Sequence, residues 1–192
     1  MNRLIFDTLS IHRGAKRVIA DLCLSTTAQI IKISGKNGSG KTSFLLGVSG
    51  LIPISSGSIN LLGESKKSSR RSMCGVFSSA ILLPEYLTVN EILSACQAPI
   101  SDQLKVFETE FLCNIHSCTR ISGLSEGQKR KVAIVCALRK ERGALLLDEP
   151  FNALDKVAMG VLVEYLSNYS GMLIYTSHSK VSFLAKETEI TL

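Results

Sequence analysis

The residues best suited to chemistry fall in four places. The run GKNGSGKT, Gly35–Thr42, sets glycines at 35, 38 and 40 around Lys41 and Thr42, with Ser43 next. Glycine backbone turns where other residues are strained, so successive N–H groups can face one point and cradle an anion. An apolar stretch, QIIKIS, precedes the run, and TSFLLGVSGLI follows with helical spacing. A helix opening at Lys41 adds its positive end to the same point. The indicated chemistry is phosphate binding. The loop Gly35, Lys36, Asn37, Gly38, Ser39, Gly40 would hold phosphate oxygens, Lys41 would reach the outer phosphates, and the Thr42 hydroxyl would ligate Mg²⁺.

The second place is ALLLDEP, Ala144–Pro150, where apolar residues predict a buried strand and two acids stand at its C-terminal end. Ligands of open α/β sheets bind at such ends. Asp148 is the candidate for Mg²⁺, and Glu149 for polarising an attacking water. Alone, two acids at a strand end are weak; the phosphate loop upstream gives them meaning. The third is His178, just past the apolar run GMLIYTS, where an imidazole could reach a terminal phosphate or orient Glu149. The fourth is SEGQ, Ser125–Gln128, an S-x-x-Q capping box that opens a helix. A helix N-terminus there is an anion site with no anion of its own.

These residues need elements to position them. RLIFDTLSI and RVIADLCLS read as strands around the turn HRGAK, and GSINLLG and MCGVF as two more. SKKSSRRS, Ser65–Ser72, is polar and basic and reads as a surface loop. TVNEILSACQ carries a second capping box (Thr88, Glu91), and SDQLKVFETEFLC has helical spacing, so residues 79–122 read as a small α-helical insertion. Beyond it the pattern alternates: helix from Ser125, strand ALLLDE, helix from about Asp155, strand GMLIYTS, then a short helix and a strand. Such alternation predicts an α/β fold with a mainly parallel central sheet, preceded by an N-terminal antiparallel β subdomain. We expect one domain over 1–192, with 1–78 and 123–192 forming the core.

Taken in order, GKNGSGKT, LSEGQ, LLLDEP, NALD and TSH resemble the motifs of an ATP-binding-cassette (ABC) ATPase, and they span residues 35–178. LSEGQ matches that family's signature L-S-G-G-Q with Glu126 for glycine. The resemblance implies a P-loop NTPase that binds ATP with Mg²⁺ and pairs head to tail with a second cassette, identical or not. Ser125, Gly127 and Gln128 would then meet the nucleotide held by the partner chain, and Asp155 of the NALD loop would lie at the seam. It further implies a membrane-spanning transporter subunit as partner and work at the cytoplasmic face of the cell membrane. The family usually has a glutamine where Ser78 stands, which puts hydrolysis rate or coupling in question. It often stacks an aromatic on adenine near SIHRG, where His12 or Arg13 could serve by cation–π contact. The short length and compact end look most similar to the ATPase subunits of haem exporters in cytochrome c biogenesis. Two other readings stay open: a soluble cassette without transport, and an ATP-binding switch without turnover.

Composition sets the limits. The 192 residues carry 45% hydrophobic and 20% charged residues and a net charge of +6, which suits a globular protein with a polyanionic ligand. Nucleic acid is not expected as a partner, since coiled-coil insertions and a second cassette are both missing from the pattern. The N-terminus has no apolar core of a signal peptide, and no window of ~20 apolar residues exists to span a bilayer. The six cysteines form no C-x-x-C pair, and Cys113, His116 and Cys118 have no second ligand pair, so reduced, mostly packed thiols are expected.

Overall fold

The computed structural model describes residues 3–14, 16–96, 100–178, 183 and 187–192. Strands β1 (Leu4–Arg13), β2 (Lys16–Thr26) and β4 (Ser56–Leu61) form an antiparallel sheet in the order β2-β1-β4. Strands β3 (Ile30–Ser34), β5 (Cys74–Phe77), β6 (Ala144–Asp148), β7 (Met172–Thr176) and β8 (Glu187–Thr191) form a second sheet, ordered β5-β6-β7-β3-β8, with every pair parallel. All five residues of β6 and of β7 are buried, and both strands are apolar up to the polar residue that ends each, Asp148 and Thr176. A parallel sheet covered on both faces demands this.

Helix α1 (Lys41–Val48) lies between the two sheets, and its Phe44 meets Phe6 of β1 edge-on at 5.3 Å. The other face of the parallel sheet packs on α4 (Asp102–Phe111), α5 (Glu126–Lys140) and α6 (Lys156–Ser167). A third apolar cluster joins α3 (Val89–Ala95) and the 3₁₀ turn Ile121–Gly123 to Val132 and Cys136 of α5. The Thr88 capping box is complete: Glu91 N–H donates to Thr88 Oγ1 at 3.2 Å, and Thr88 N–H donates to Glu91 Oε2 at 2.7 Å.

Arg139 of α5 anchors the helical region. Its guanidinium grips both oxygens of Glu108 on α4 and donates to the Leu93 carbonyl at 2.8 Å. Both side chains are largely buried, at 16% and 11% exposure. Removing one partner strands a charge in a dry place, so Glu108→Ala should cost about 3 kcal/mol in urea or thermal unfolding, while Glu110→Ala on the exposed side should cost little.

Two expectations change. Ser65–Ser72 was expected as a surface loop, but Lys67–Met73 is a helix, α2. Its Arg70 is 4% exposed and turns inward, donating to the carbonyls of Val48 at 3.0 Å, Ile59 and Ser65. The Val48 carbonyl closes α1, so the basic run supplies a C-terminal cap for a buried helix. The cysteines are all free thiols, but only Cys74, Cys96 and Cys136 are buried. The short helix expected before the last strand lies outside the described residues.

Candidate functional site

The site forms along the carboxyl edge of the parallel sheet. Strand β3 ends at Ser34 and turns directly into the glycine loop and α1. Gly40 is the N-cap of α1 with φ 106°, and a Cβ there would sit 3.0 Å from Val18, so this turn calls for glycine. Helices α3, α4, α5 and α6 are capped by Thr88, Ser101, Ser125 and Asp155, whereas no side chain caps α1 and no acid lies in its first turn. Its positive end is left for a ligand. Lys41 is 9% exposed and folds back across the loop, its Nζ donating to the carbonyls of Gly35 at 2.8 Å and Lys36 at 3.1 Å. Carbonyls orient an ammonium without cancelling its charge.

Asp148 ends β6, between β5 and β7, and is 6% exposed. Hydroxyls from three elements converge on its carboxylate: Thr42 donates to Oδ2 at 2.7 Å, Ser78 to Oδ2 at 2.9 Å, and Thr176 to Oδ1 at 2.9 Å. A carboxylate beside a threonine hydroxyl is an oxygen donor set. It suits Mg²⁺, which takes few protein ligands and fills its octahedron with water and phosphate.

Glu149 follows in the left-handed region, at φ 50°. Such a backbone costs about 1–3 kcal/mol and persists only where its surroundings fix it. Here the Glu149 N–H donates to Thr176 Oγ1 at 2.8 Å, and Arg130 donates to the Glu149 carbonyl at 2.9 Å. The side chain is held from the other side: the His178 N–H donates to Oε2 at 3.2 Å, and His178 Nε2 lies 3.4 Å from Oε1 without completing a hydrogen bond. Oε1 is buried and accepts no hydrogen bond among the described residues, so it is an acceptor free to take a proton from water.

These groups share one cleft of about 560 Å³, whose walls also carry Arg13, Lys16, Asn37, Ser79 and Asn152. That volume fits a nucleotide. Of the two candidates for contacting the base, Arg13 lines the cleft and His12 does not; the His12 backbone N–H donates to Ser55 Oγ at 3.0 Å.

Seven predicted residues do not line this cleft: Gly35, Lys36 and Ser39 of the phosphate loop, and Ser125, Gly127, Gln128 and Asp155. Ser125 and Gln128 close their capping box at the head of α5, with Gln128 Oε1 accepting from the Ser125 N–H at 3.0 Å and Nε2 donating to the Asn114 carbonyl at 3.3 Å. Gly127 packs against the NALD loop, where an added Cβ would lie 3.0 Å from the Ala153 carbonyl. Asp155 caps α6, accepting from the Ala158 N–H at 2.8 Å, and lies 3.4 Å from Lys131. That backbone bond, with Lys131 nearby, holds its carboxyl below the usual range. Glu126, the unexpected letter of the signature, is turned to Lys129 at 3.4 Å, and Lys129 also pairs with Glu85 at 3.1 Å. Sequence reasoning missed Thr176 and Arg130. Thr176 could have been suspected from its place at the end of an apolar strand, whereas Arg130 looks like one more cation on a helix face.

Comparison with known proteins agrees with this geometry. The family model described as ABC transporter matches residues 21–152. A "Cytochrome c biogenesis ATP-binding export protein CcmA" from Dechloromonas aromatica is 30% identical, covering 93% of this chain and 94% of its own. An "Uncharacterized ABC transporter ATP-binding protein YybJ" from Bacillus subtilis is 33% identical over 81% of this chain and 76% of its own. A solved structure, "Dimeric Structure of MJ0796, a Bacterial ABC Transporter Cassette", superposes with a TM-score of 0.81 at 17% identity, covering 98% and 94% of the two chains. The chain therefore belongs to the ABC transporter family and is one of its ATPase cassettes.

Proposed function

We propose that this chain hydrolyses ATP to drive a separate membrane subunit, in an exporter of the kind that serves cytochrome c biogenesis. The observation that carries the catalytic part is the convergence of Lys41, Thr42, Asp148, Glu149 and His178 on one cleft. Arg13 stacks on the base by cation–π contact, and the phosphates lie along the glycine loop and the open end of α1. Thr42 and Asp148 would hold Mg²⁺, which when bound would offset the phosphate charge. Ser78 and Thr176 keep the Asp148 carboxylate aimed. Glu149 Oε1 accepts a proton from the attacking water while the His178 backbone holds Oε2, and the imidazole lies against the same carboxylate. Ser78 occupies the position usual for glutamine and still contributes a hydrogen bond to the metal-binding acid, which favours turnover over a passive switch.

The signature faces out of this cleft, so a second cassette, identical or not, supplies the missing donors. Two copies set head to tail would bring Ser125 and Gly127 of one chain to the phosphate of the other. Gln128 braces that helix head, and Asp155 lies beside it at the seam. Glu126 lies 3.4 Å from Lys129, a cation it shares with Glu85, which lessens but does not cancel its repulsion of the anion.

The membrane partner is proposed from an apolar groove. Leu82 is 85% exposed, Tyr86 74% and Ile81 40%. Ile81 and Leu82 border cavities of about 280 and 270 Å³, lined by Leu83, Ile121 and Ala133 in the first and Leu83, Leu87 and Ala133 in the second. Ser78 lines both, and Ser79 lines the first as well as the nucleotide cleft, so a segment seated in the groove touches the loop beside Asp148. No helix among the described residues is long and apolar enough to cross a membrane. On this reading the chain acts peripherally, at the cytoplasmic face, on a subunit that supplies the spans. Relatives named for cytochrome c biogenesis export suggest haem as cargo. The test is co-purification in detergent. Wild-type chain should bring down a polytopic membrane protein, and Leu82→Asp with Tyr86→Asp should lose it while the isolated chain still hydrolyses ATP. Recovery of soluble proteins or nucleic acid alone would contradict the reading.

A further inference from the structure

Glu149 has the strained backbone of the site, and its peptide is pinned at both ends from different elements. Thr176 of β7 takes its N–H at 2.8 Å, and Arg130 of α5 holds its carbonyl at 2.9 Å. The Arg130 guanidinium lies 5.3 Å from the centre of the Phe77 ring, the last residue of β5 before Ser78. It is half-buried and lines both the nucleotide cleft and the apolar groove. Arg130 therefore ties together the helix that carries the signature, the strand end that carries Ser78, and the residue whose carboxylate faces the water.

We infer that Arg130 is a positioning residue for the base: it acts on the reaction by fixing the backbone of Glu149, without itself binding the nucleotide phosphates. This rests on Glu149 being the base, as proposed above. The physical reason is local. In the left-handed region a glutamate relaxes readily to the right-handed one, which would swing its carboxylate away from Asp148 and His178. A charged donor on the carbonyl, itself steadied by the Phe77 ring, opposes that rotation. Lysine at this place would retain a donor but lose the flat face that rests on Phe77.

Steady-state ATP hydrolysis and equilibrium binding of a fluorescent ATP analogue test the inference on the full chain. Arg130→Met keeps the apolar stem and removes the donor. It should lower kcat by about 10–100-fold, as loss of an outer-shell contact typically does, with KM and analogue affinity unchanged. Arg130→Lys should recover part of that loss. Combined with Glu149→Gln, Arg130→Met should cause no further fall in the residual rate, because both changes remove one unit. The inference is overturned if Arg130→Met turns over at the wild-type rate, if it raises KM and weakens analogue binding instead, or if it lowers the Glu149→Gln rate by the same factor as it lowers the wild type. If Arg130→Met does not fold, Arg130→Lys carries the same reading, since an intermediate kcat at unchanged KM is expected. A wild-type rate in Glu149→Gln alone would sink the assignment of the base and leave the Arg130 contact without a catalytic meaning.

Discussion

Glu149→Gln should lower ATP turnover by about 10²–10⁴-fold, the usual worth of a positioned general base. The substitution removes one acceptor and leaves the shape. Its backbone bonds to Thr176 and Arg130 do not involve the side chain, so the strained turn at φ 50° survives. The amide can still accept from the His178 N–H through its oxygen, and its nitrogen then takes the place of Oε1, which accepts no hydrogen bond among the described residues and lies 3.4 Å from His178 Nε2. On the proposed reading, what is lost is the group that takes the proton from water. Nucleotide affinity should hold, because Lys41, Thr42 and the open end of α1 are untouched. The variant should therefore accumulate ATP-bound chains, readable as nucleotide retained after rapid gel filtration. Turnover at the wild-type rate would show that another group accepts the proton.

Ser125→Arg should abolish ATP-driven pairing of chains and spare ATP binding by the single chain. Ser125 is exposed at the head of α5, outside its own nucleotide cleft. Its Oγ accepts from the Gln128 N–H at 3.3 Å, so the hydroxyl proton is still available to an incoming phosphate. Arginine there fills the space that a second nucleotide must enter. Losing the cap also costs about 1 kcal/mol of fold stability, and Ser125→Ala measures that part alone. Pairing by Ser125→Arg as tight as by wild type would mean that the signature does not face a second nucleotide.

The parts of this site written in contiguous residues were legible in the sequence. The phosphate loop declares itself because its glycines, lysine and threonine act through adjacent backbone. Asp148 and Glu149 could be found because an apolar run fixes where the strand must end. The capping boxes at Thr88 and Ser125 need only three residues' separation, and both formed as expected. Other features depend on partners far along the chain. Arg70 sits in a run that looks solvated, yet it is buried against the end of α1, 22 residues away from Val48. Thr176 reaches Asp148 only because the strand order sets β7 beside β6. The loss of the family's glutamine looked like a gap; the register that places Ser78 beside Asp148 turns it into a hydrogen bond. Glu126 gives no sign in the sequence of its partner Lys129, which it shares with Glu85 from the segment before α3. In each case the residue type gave the chemistry and the topology gave the partner.

On the reading proposed above, this chain holds half of a hydrolytic site and ATP joins it to a second cassette. The most direct test is the solution mass of Glu149→Gln chains at saturating ATP and Mg²⁺, with and without Ser125→Arg. The account predicts that Glu149→Gln runs at the mass of a dimer with ATP and of a monomer with ADP. The doubly substituted chain should stay monomeric while binding as much ATP. Equal dimerisation of both variants, or of Glu149→Gln with ADP as with ATP, would contradict it.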